Sequence, residues 1–178
     1  RVPAEYVADF LDQVVVGDVM AKDVISLRAA QTLGEIRRWI AEGDSTSAHQ
    51  GFPIVDDNGK LVGVLTRRSL LGSADPDDRR LGDLLQRPPM STFADNTLRQ
   101  AADQMVGGNI GRLPVVDRND PGRVVGMITR SDLLSAHRRR ISEFTDAQRS
   151  IRLRRLFSLR DQSNGDLAQS ADQGRVES

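Results

Sequence analysis

Val62-Gly63-Val64-Leu65-Thr66-Arg67 is written a second time in the chain, as Val125-Gly126-Met127-Ile128-Thr129-Arg130. Outward from this pair, Phe52-Pro53-Ile54-Val55-Asp56 returns as Leu113-Pro114-Val115-Val116-Asp117, and Ser26 to Leu33 returns as Ser91 to Leu98. Gly17-Asp18-Val19-Met20 returns as Gly82-Asp83-Leu84-Leu85. Self-similarity of this length means that one supersecondary unit is built twice. The first copy has four extra residues after its first helix and the second has two extra in its hairpin. Length changes confined to connections are what a duplicated fold tolerates.

Each copy reads as the same small unit. Thr32-Leu33-Gly34-Glu35 and Thr97-Leu98-Arg99-Gln100 fit the capping box, in which the Thr hydroxyl and the acid or amide three residues on satisfy orphan amides at a helix start. Behind the caps, Leu33, Ile36 and Ile40 correspond to Leu98, Ala101 and Met105, an apolar stripe at helical spacing. Two short apolar runs follow, Phe52 to Val55 and Leu61 to Leu65, joined by Asp56-Asp57-Asn58-Gly59, whose Asn-Gly is a hairpin signal. Their counterparts, Leu113 to Val116 and Val124 to Ile128, are joined across Asn119-Asp120-Pro121-Gly122. Both hairpins run into a second helix that starts near Arg67 or Arg130 and carries Leu70-Leu71 or Leu133-Leu134. The order is therefore β-α-β-β-α, twice. A unit of about 55 residues is marginal alone, so the expected fold is α+β: two repeats related by a pseudo-twofold axis, packed sheet to sheet with clefts between them.

Composition narrows the function. The 178 residues hold 25 basic and 25 acidic side chains, a net charge of zero that argues against a globally basic nucleic-acid binder. Hydrophobic residues make up 38%, enough for a core at this length. No run approaches the roughly 18 to 20 apolar residues of a membrane span, and no signal-peptide pattern is present. The chain starts at Arg1, and a piece of a longer protein is expected. Without cysteine there is no thiolate metal site or cysteine nucleophile, and the two histidines, His49 and His137, fall in no HExxH, Walker-type loop or Gly-x-Ser-x-Gly. Neither an enzyme nor a resident metal is expected. Asp75-Pro76-Asp77-Asp78 lacks an EF-hand frame and reads as a solvated turn.

The doubled constellation, with Pro53 or Pro114 in one strand and Gly-apolar-apolar-Thr leaving the next, resembles the cystathionine beta-synthase (CBS) domain pair, or Bateman module, over Gly17 to about Leu134. The resemblance implies a cytosolic regulatory module that dimerises with a second copy and senses an adenine nucleotide (ATP, ADP or AMP) in its clefts. A narrower likeness lies in His49-Gln50-Gly51-Phe52-Pro53-Ile54-Val55 and the extension before it, and in the lead-in Tyr6 to Asp12 and Val14 to Met20. These look like the cytoplasmic tail of bacterial ClC-type chloride channels and transporters, which implies an attached anion-channel membrane domain and a place at the cytoplasmic face of the membrane. Two other readings stay open: a CBS pair serving another host, such as a cation transporter or a soluble enzyme, and a dimerisation module with no ligand.

Carried onto this sequence, the resemblance assigns the nucleotide site to Ser26, His49, Gln50, Gly51, Phe52, Pro53, Thr129, Arg130 and Asp132. The Asp132 carboxylate would accept both ribose hydroxyls, with Thr129 beside it and the helix N-terminus toward phosphate; the alternative is that Asp132 only caps its helix. His49 would stack on the base, or else lie in an exposed loop. At the equivalent position of the first copy the acid is replaced by Ser69, so the second half-site, Thr66, Ser69, Ser91 and Pro114, is expected to be weak or empty.

The segments expected are a lead-in helix at 1–16, repeats at 17–73 and 82–136 with a linker at 74–81, a basic helical extension at 137–160 and a disordered tail at 161–178. Residues 138–160 carry eight arginines against Glu143 and Asp146, interleaved with Ile151, Leu153, Leu156, Phe157 and Leu159. Such a helix suits an anionic membrane surface, or packs on its own module or dimer mate.

Overall fold

A short helix α1 (Phe10–Gln13) and a 3-10 turn at Val16–Asp18 precede the first repeat in the computed structural model, which describes residues 10–43 and 49–142. The first repeat then runs β1 (Leu27–Arg28), α2 (Leu33–Glu42), β2 (Gly51–Val55), β3 (Leu61–Thr66) and α3 (Arg67–Gly72). After a 3-10 turn at Leu81–Leu84, the second runs β4 (Thr92–Phe93), α4 (Leu98–Gly107), β5 (Arg112–Val116) and β6 (Val124–Thr129), and α5 occupies residues 130–142. The two repeats lie in one compact unit that ends at Ser135; of the basic extension expected at 137–160, residues 137–142 continue α5, and residues 143–160 and the tail fall outside the described residues.

Local chemistry sets the elements. Thr32 and Thr97 each accept from the N–H three residues on, while Glu35 and Gln100 accept from the Thr N–H, so both expected capping boxes form. Gly43 closes α2 at φ 76°, a left-handed turn that suits glycine. Leu33, Ile36 and Ile40 turn inward from α2 and join Phe52, Ile54, Leu65 and Leu70 in one core; Leu98, Ala101 and Met105 are buried at the same positions of α4.

Each repeat forms its own three-stranded sheet, with the first strand parallel to the middle one and the middle antiparallel to the third. Proline in a middle strand normally removes a ladder bond. Here β1 pairs only with Ile54 and Val55, and β4 only with Val115 and Val116. Ala29 N–H donates to Val55 O, so Val55 and, two residues back, Pro53 face the side of β1, which has not yet begun opposite Pro53. Both sheets carry a register shift at the same place, Ile54/Val55 and Val115/Val116, so the bulge belongs to the repeat.

The lead-in of each repeat sits on the other repeat. Val16 and Gly17 N–H donate to Asn96 O (2.8 Å) and Ala94 O (2.8 Å); Leu81 and Gly82 N–H donate to Gln31 O (2.9 Å) and Ala29 O (3.0 Å). Leu98 N–H donates to Val14 O, as Leu33 N–H does to Arg79 O. Further along, Met20 covers Gly126 and Leu85 covers Gly63, where a side chain on either glycine would collide. Val16 and Leu81 are fully buried as a result. Residues 74–81, expected as a linker, therefore supply part of this seat. Asp75 and Asp77, expected in a solvated turn, pair with Arg79 (2.7 Å) and Arg37 (2.5 Å).

The sheets also meet directly. Leu61 N–H donates to Gly122 O at the hairpin ends, and at the opposite ends the Arg112 side chain of β5 lies against Gly51 of β2.

Candidate functional site

Two clefts open where the strand ends of one repeat meet the lead-in of the other. The second-repeat cleft, of about 360 Å³, is lined on one side by Thr129, Arg130, Ser131 and Asp132 and on the other by His49, Gln50 and Gly51. Ala21, Asp23 and Val24 of the lead-in form its outer wall, and Gly111, Arg112 and Met127 complete it. The volume falls in the range of small-ligand pockets.

Asp132 is placed by its own helix start. Its Oδ2 accepts from Thr129 N–H (2.8 Å) and from Thr129 Oγ1–H (2.7 Å), and Asp132 N–H donates back to Thr129 Oγ1. Asp132 thus caps α5, and only one carboxylate oxygen is used for it. Oδ1 accepts no hydrogen bond among the described residues. Two neighbouring hydroxyls, as on a ribose, have there an anionic acceptor of fixed orientation.

The opposite wall is held from the core. The His49 ring meets Phe52 edge to face at 6.4 Å between centroids, and Phe52 in turn meets Trp39 at 5.7 Å. Gln50 O accepts from Arg67 N–H, as Gly111 O does from Arg130 N–H, so both helix starts are tied to the strand that faces them. The Arg130 guanidinium donates to Ile110 O (3.0 and 3.2 Å).

Of the nine residues assigned from the resemblance, His49, Gln50, Gly51, Thr129, Arg130 and Asp132 come together in this cleft. The other three do not. Phe52 and Pro53 are buried in the strand, Phe52 completely, because the middle strand is covered on both faces; Phe52 acts by supporting His49. Ser26 lies in a separate depression with Ile25, Glu35 and Trp39, because the chain turns away after Val24 to reach β1. Ala21, Asp23 and Arg112 were missed. The exchanged lead-in that brings the first two into the cleft leaves no mark in the repeat itself.

The first-repeat cleft, of about 440 Å³, is lined by Thr66 and Ser69 together with Leu84 to Met90 and Asn109 to Arg112. Ser69 performs the capping that Asp132 performs in the second repeat: its Oγ accepts from Thr66 N–H (2.9 Å) and donates to Thr66 O (2.7 Å). Ser91 lies beyond the lining and Pro114 is buried in β5, so this half-site reduces to Thr66 and Ser69 of the four residues expected. Arg112 belongs to both clefts. Burial pushes its pKa down.

Comparison with known proteins agrees with the duplicated unit. The CBS domain is matched twice, over residues 16–74 and 81–139. An uncharacterized protein of Methanocaldococcus jannaschii is 33% identical over 124 residues, 70% of this chain and 40% of that protein. The inosine-5'-monophosphate dehydrogenase of the same organism is 31% identical over 117 residues, 66% of this chain but only 22% of the enzyme. The chain thus spans less than half the length of these two relatives. Among solved structures, the CBS pair of protein MJ0100 with 5'-methylthioadenosine and S-adenosyl-L-methionine has a TM-score of 0.58 at 26% identity, covering 68% of this chain and 94% of that one. CBSX2 in complex with AMP has a TM-score of 0.57 at 26% identity, covering 70% and 96%. The cytosolic domain of the Mg2+ channel MgtE with ATP has 0.59 at 25% identity, covering 70% and 49%. With two matched domains across most of its length, and with the exchanged double unit that the backbone displays, the chain belongs to the CBS domain family as a tandem CBS pair.

Proposed function

We propose that this CBS pair binds an adenine nucleotide in the cleft of Asp132 and regulates a membrane protein to which it is attached, a ClC-type anion channel or transporter. The observation that carries the ligand is the half-used carboxylate: Oδ2 fixed by Thr129 and Oδ1 turned to no donor among the described residues. Ribose engages Oδ1, the base lies toward His49 and Gln50, and phosphate lies toward Arg112. That similar structures hold AMP, ATP and S-adenosyl-L-methionine supports an adenosine-type ligand. The ClC host rests on the sequence likeness around His49 to Val55. A cation-transporter host is the second reading, favoured by the likeness to the Mg2+ channel domain. In either case the module itself performs no chemistry, and ligand acts through its different affinity for two states of the host.

A homodimer fits the same reading. Leu71 and Leu134, equivalent leucines on α3 and α5, are 49% and 66% exposed. A second copy would cover them.

Calorimetric titration of the chain with ATP, ADP and AMP tests the ligand. One saturable event per chain, lost in Asp132→Ala, is expected. Absence of binding, or binding indifferent to that substitution, removes the proposed site.

A further inference from the structure

The first-repeat cleft differs from its partner in charge as well as in its missing acid. Among the described residues none that lines it is acidic, whereas Arg87 and Arg112 both reach it. Part of its wall is apolar, with Leu84, Leu85, Ile110 and the Pro88-Pro89-Met90 rim. Arg87 is engaged, donating to Gly108 O at 3.1 Å. Arg112 is not: among the described residues its side chain has no hydrogen bond and no ion pair. A guanidinium half withdrawn from water without a counter-charge is costly, and an anion repays that cost.

Arg112 is also held in place without a polar partner. Gly51, its repeat equivalent, has no side chain, and the Arg112 Cδ and Cζ lie 2.6 and 2.9 Å from where a Cβ would stand. The guanidinium therefore rests on the Gly51 backbone at the junction of the two clefts and lines both.

We propose that Arg112 is an anion acceptor shared by the two clefts, so that the first cleft binds a phosphate-bearing compound with an apolar body and no need of a ribose, in competition with the phosphates of a nucleotide in the second. The competition rests on the nucleotide reading given above. The site in the first cleft does not.

Phenyl phosphate is the probe, added to the full 178-residue chain labelled with 13C at the methionine methyls. Met90 lines the first cleft and Met127 the second, so the two occupancies have separate signals. Phenyl phosphate is expected to shift Met90 saturably, and to lose about tenfold or more in affinity in Arg112→Gln, since a charge-assisted contact is removed. Gly51→Ala, which keeps the charge and displaces the guanidinium, is expected to weaken it as well. Saturating ATP is expected to shift Met127 and to weaken phenyl phosphate severalfold. No shift at Met90, or equal binding by Arg112→Gln, overturns the site. Binding at Met90 that is indifferent to bound ATP overturns the sharing. ATP that shifts nothing, with phenyl phosphate still at Met90, refutes the nucleotide reading and the competition while upholding the first-cleft site.

Discussion

The two clefts are built from the same backbone and have been given different chemistry. Thr66 and Thr129 occupy equivalent positions, and each is locked to the residue three places on by reciprocal bonds. In one cleft that residue is serine, whose single oxygen is consumed in the cap. In the other it is aspartate, which caps with one oxygen and keeps the second. A helix cap can thus be exchanged for a cap that also binds, without moving the chain. Duplication has preserved the scaffold while the carboxylate at the helix cap differs between the copies.

The largest expected effect comes from removing that difference. Asp132→Asn keeps an acceptor oxygen for Thr129 and removes the charge, so α5 stays capped while nucleotide affinity falls. A charged hydrogen bond is worth about 1.5–3 kcal/mol, which corresponds to about 10- to 100-fold in the dissociation constant by calorimetry. An affinity within twofold of the parent would show that the clefts do not differ in the way described.

Next in size is the seat of each lead-in. A Cβ on Gly126 would stand 3.0 Å from Ala21 O and 2.5 Å from Met20 Sδ, so it meets backbone as well as side chain. On Gly63 it would meet only the Leu85 side chain. Gly126→Ala should cost about 1–3 kcal/mol of stability and weaken the second cleft, whose wall includes Ala21. Gly63→Ala should cost less, because a leucine can rotate and a carbonyl cannot. Urea unfolding of both variants measures the order.

A smaller gain is expected from Ser69→Asp, which gives the first cleft the acid it lacks. A second, weaker nucleotide-binding event should appear in calorimetry, about tenfold or more weaker than the first, since no histidine lines that cleft. If stoichiometry stays at one, the carboxylate is not what separates the clefts. Smallest of all, Thr66→Ala removes a cap worth about 1 kcal/mol, which lowers the melting temperature by about 2–4 °C for a chain of this size. Nucleotide affinity in the second cleft should not change.

The repeated elements were legible because each has a local cause. Thr32 and Thr97 declare their helices three residues ahead of Glu35 and Gln100, and Asn58-Gly59 declares a hairpin, with Gly59 at φ 77°. Asp132 and Thr129 could be placed together for the same reason. What the pattern did not disclose depends on contacts between distant segments. Phe52 carries the residue type of a ligand-stacking group, yet it lies in a strand covered on both faces and packs into the core with α2. Ser26 precedes β1 closely enough to have been placed in the cleft, and the path from Val24 to Leu27 carries it to another face. Arg112 had one readable clue, the pairing of a large residue with Gly51 at the same repeat position, whose meaning emerges only when the two strands meet.

The exchanged lead-ins have a mechanical consequence. Ala21 and Met127 are bonded through both N–H and C=O, and the chain then runs through Asp23 and Val24 along the rim of the second cleft. Anything pulling on the chain ahead of Val14 therefore draws on the second repeat, at the strand that ends in Thr129, and not on the repeat that follows it in sequence. A ligand bridging Asp132 and this rim would act as a clamp across the point of traction, stiffening the chain where load enters. The first cleft lies off that line of force, and an occupant there would reach this rim through Arg112, which lines both clefts.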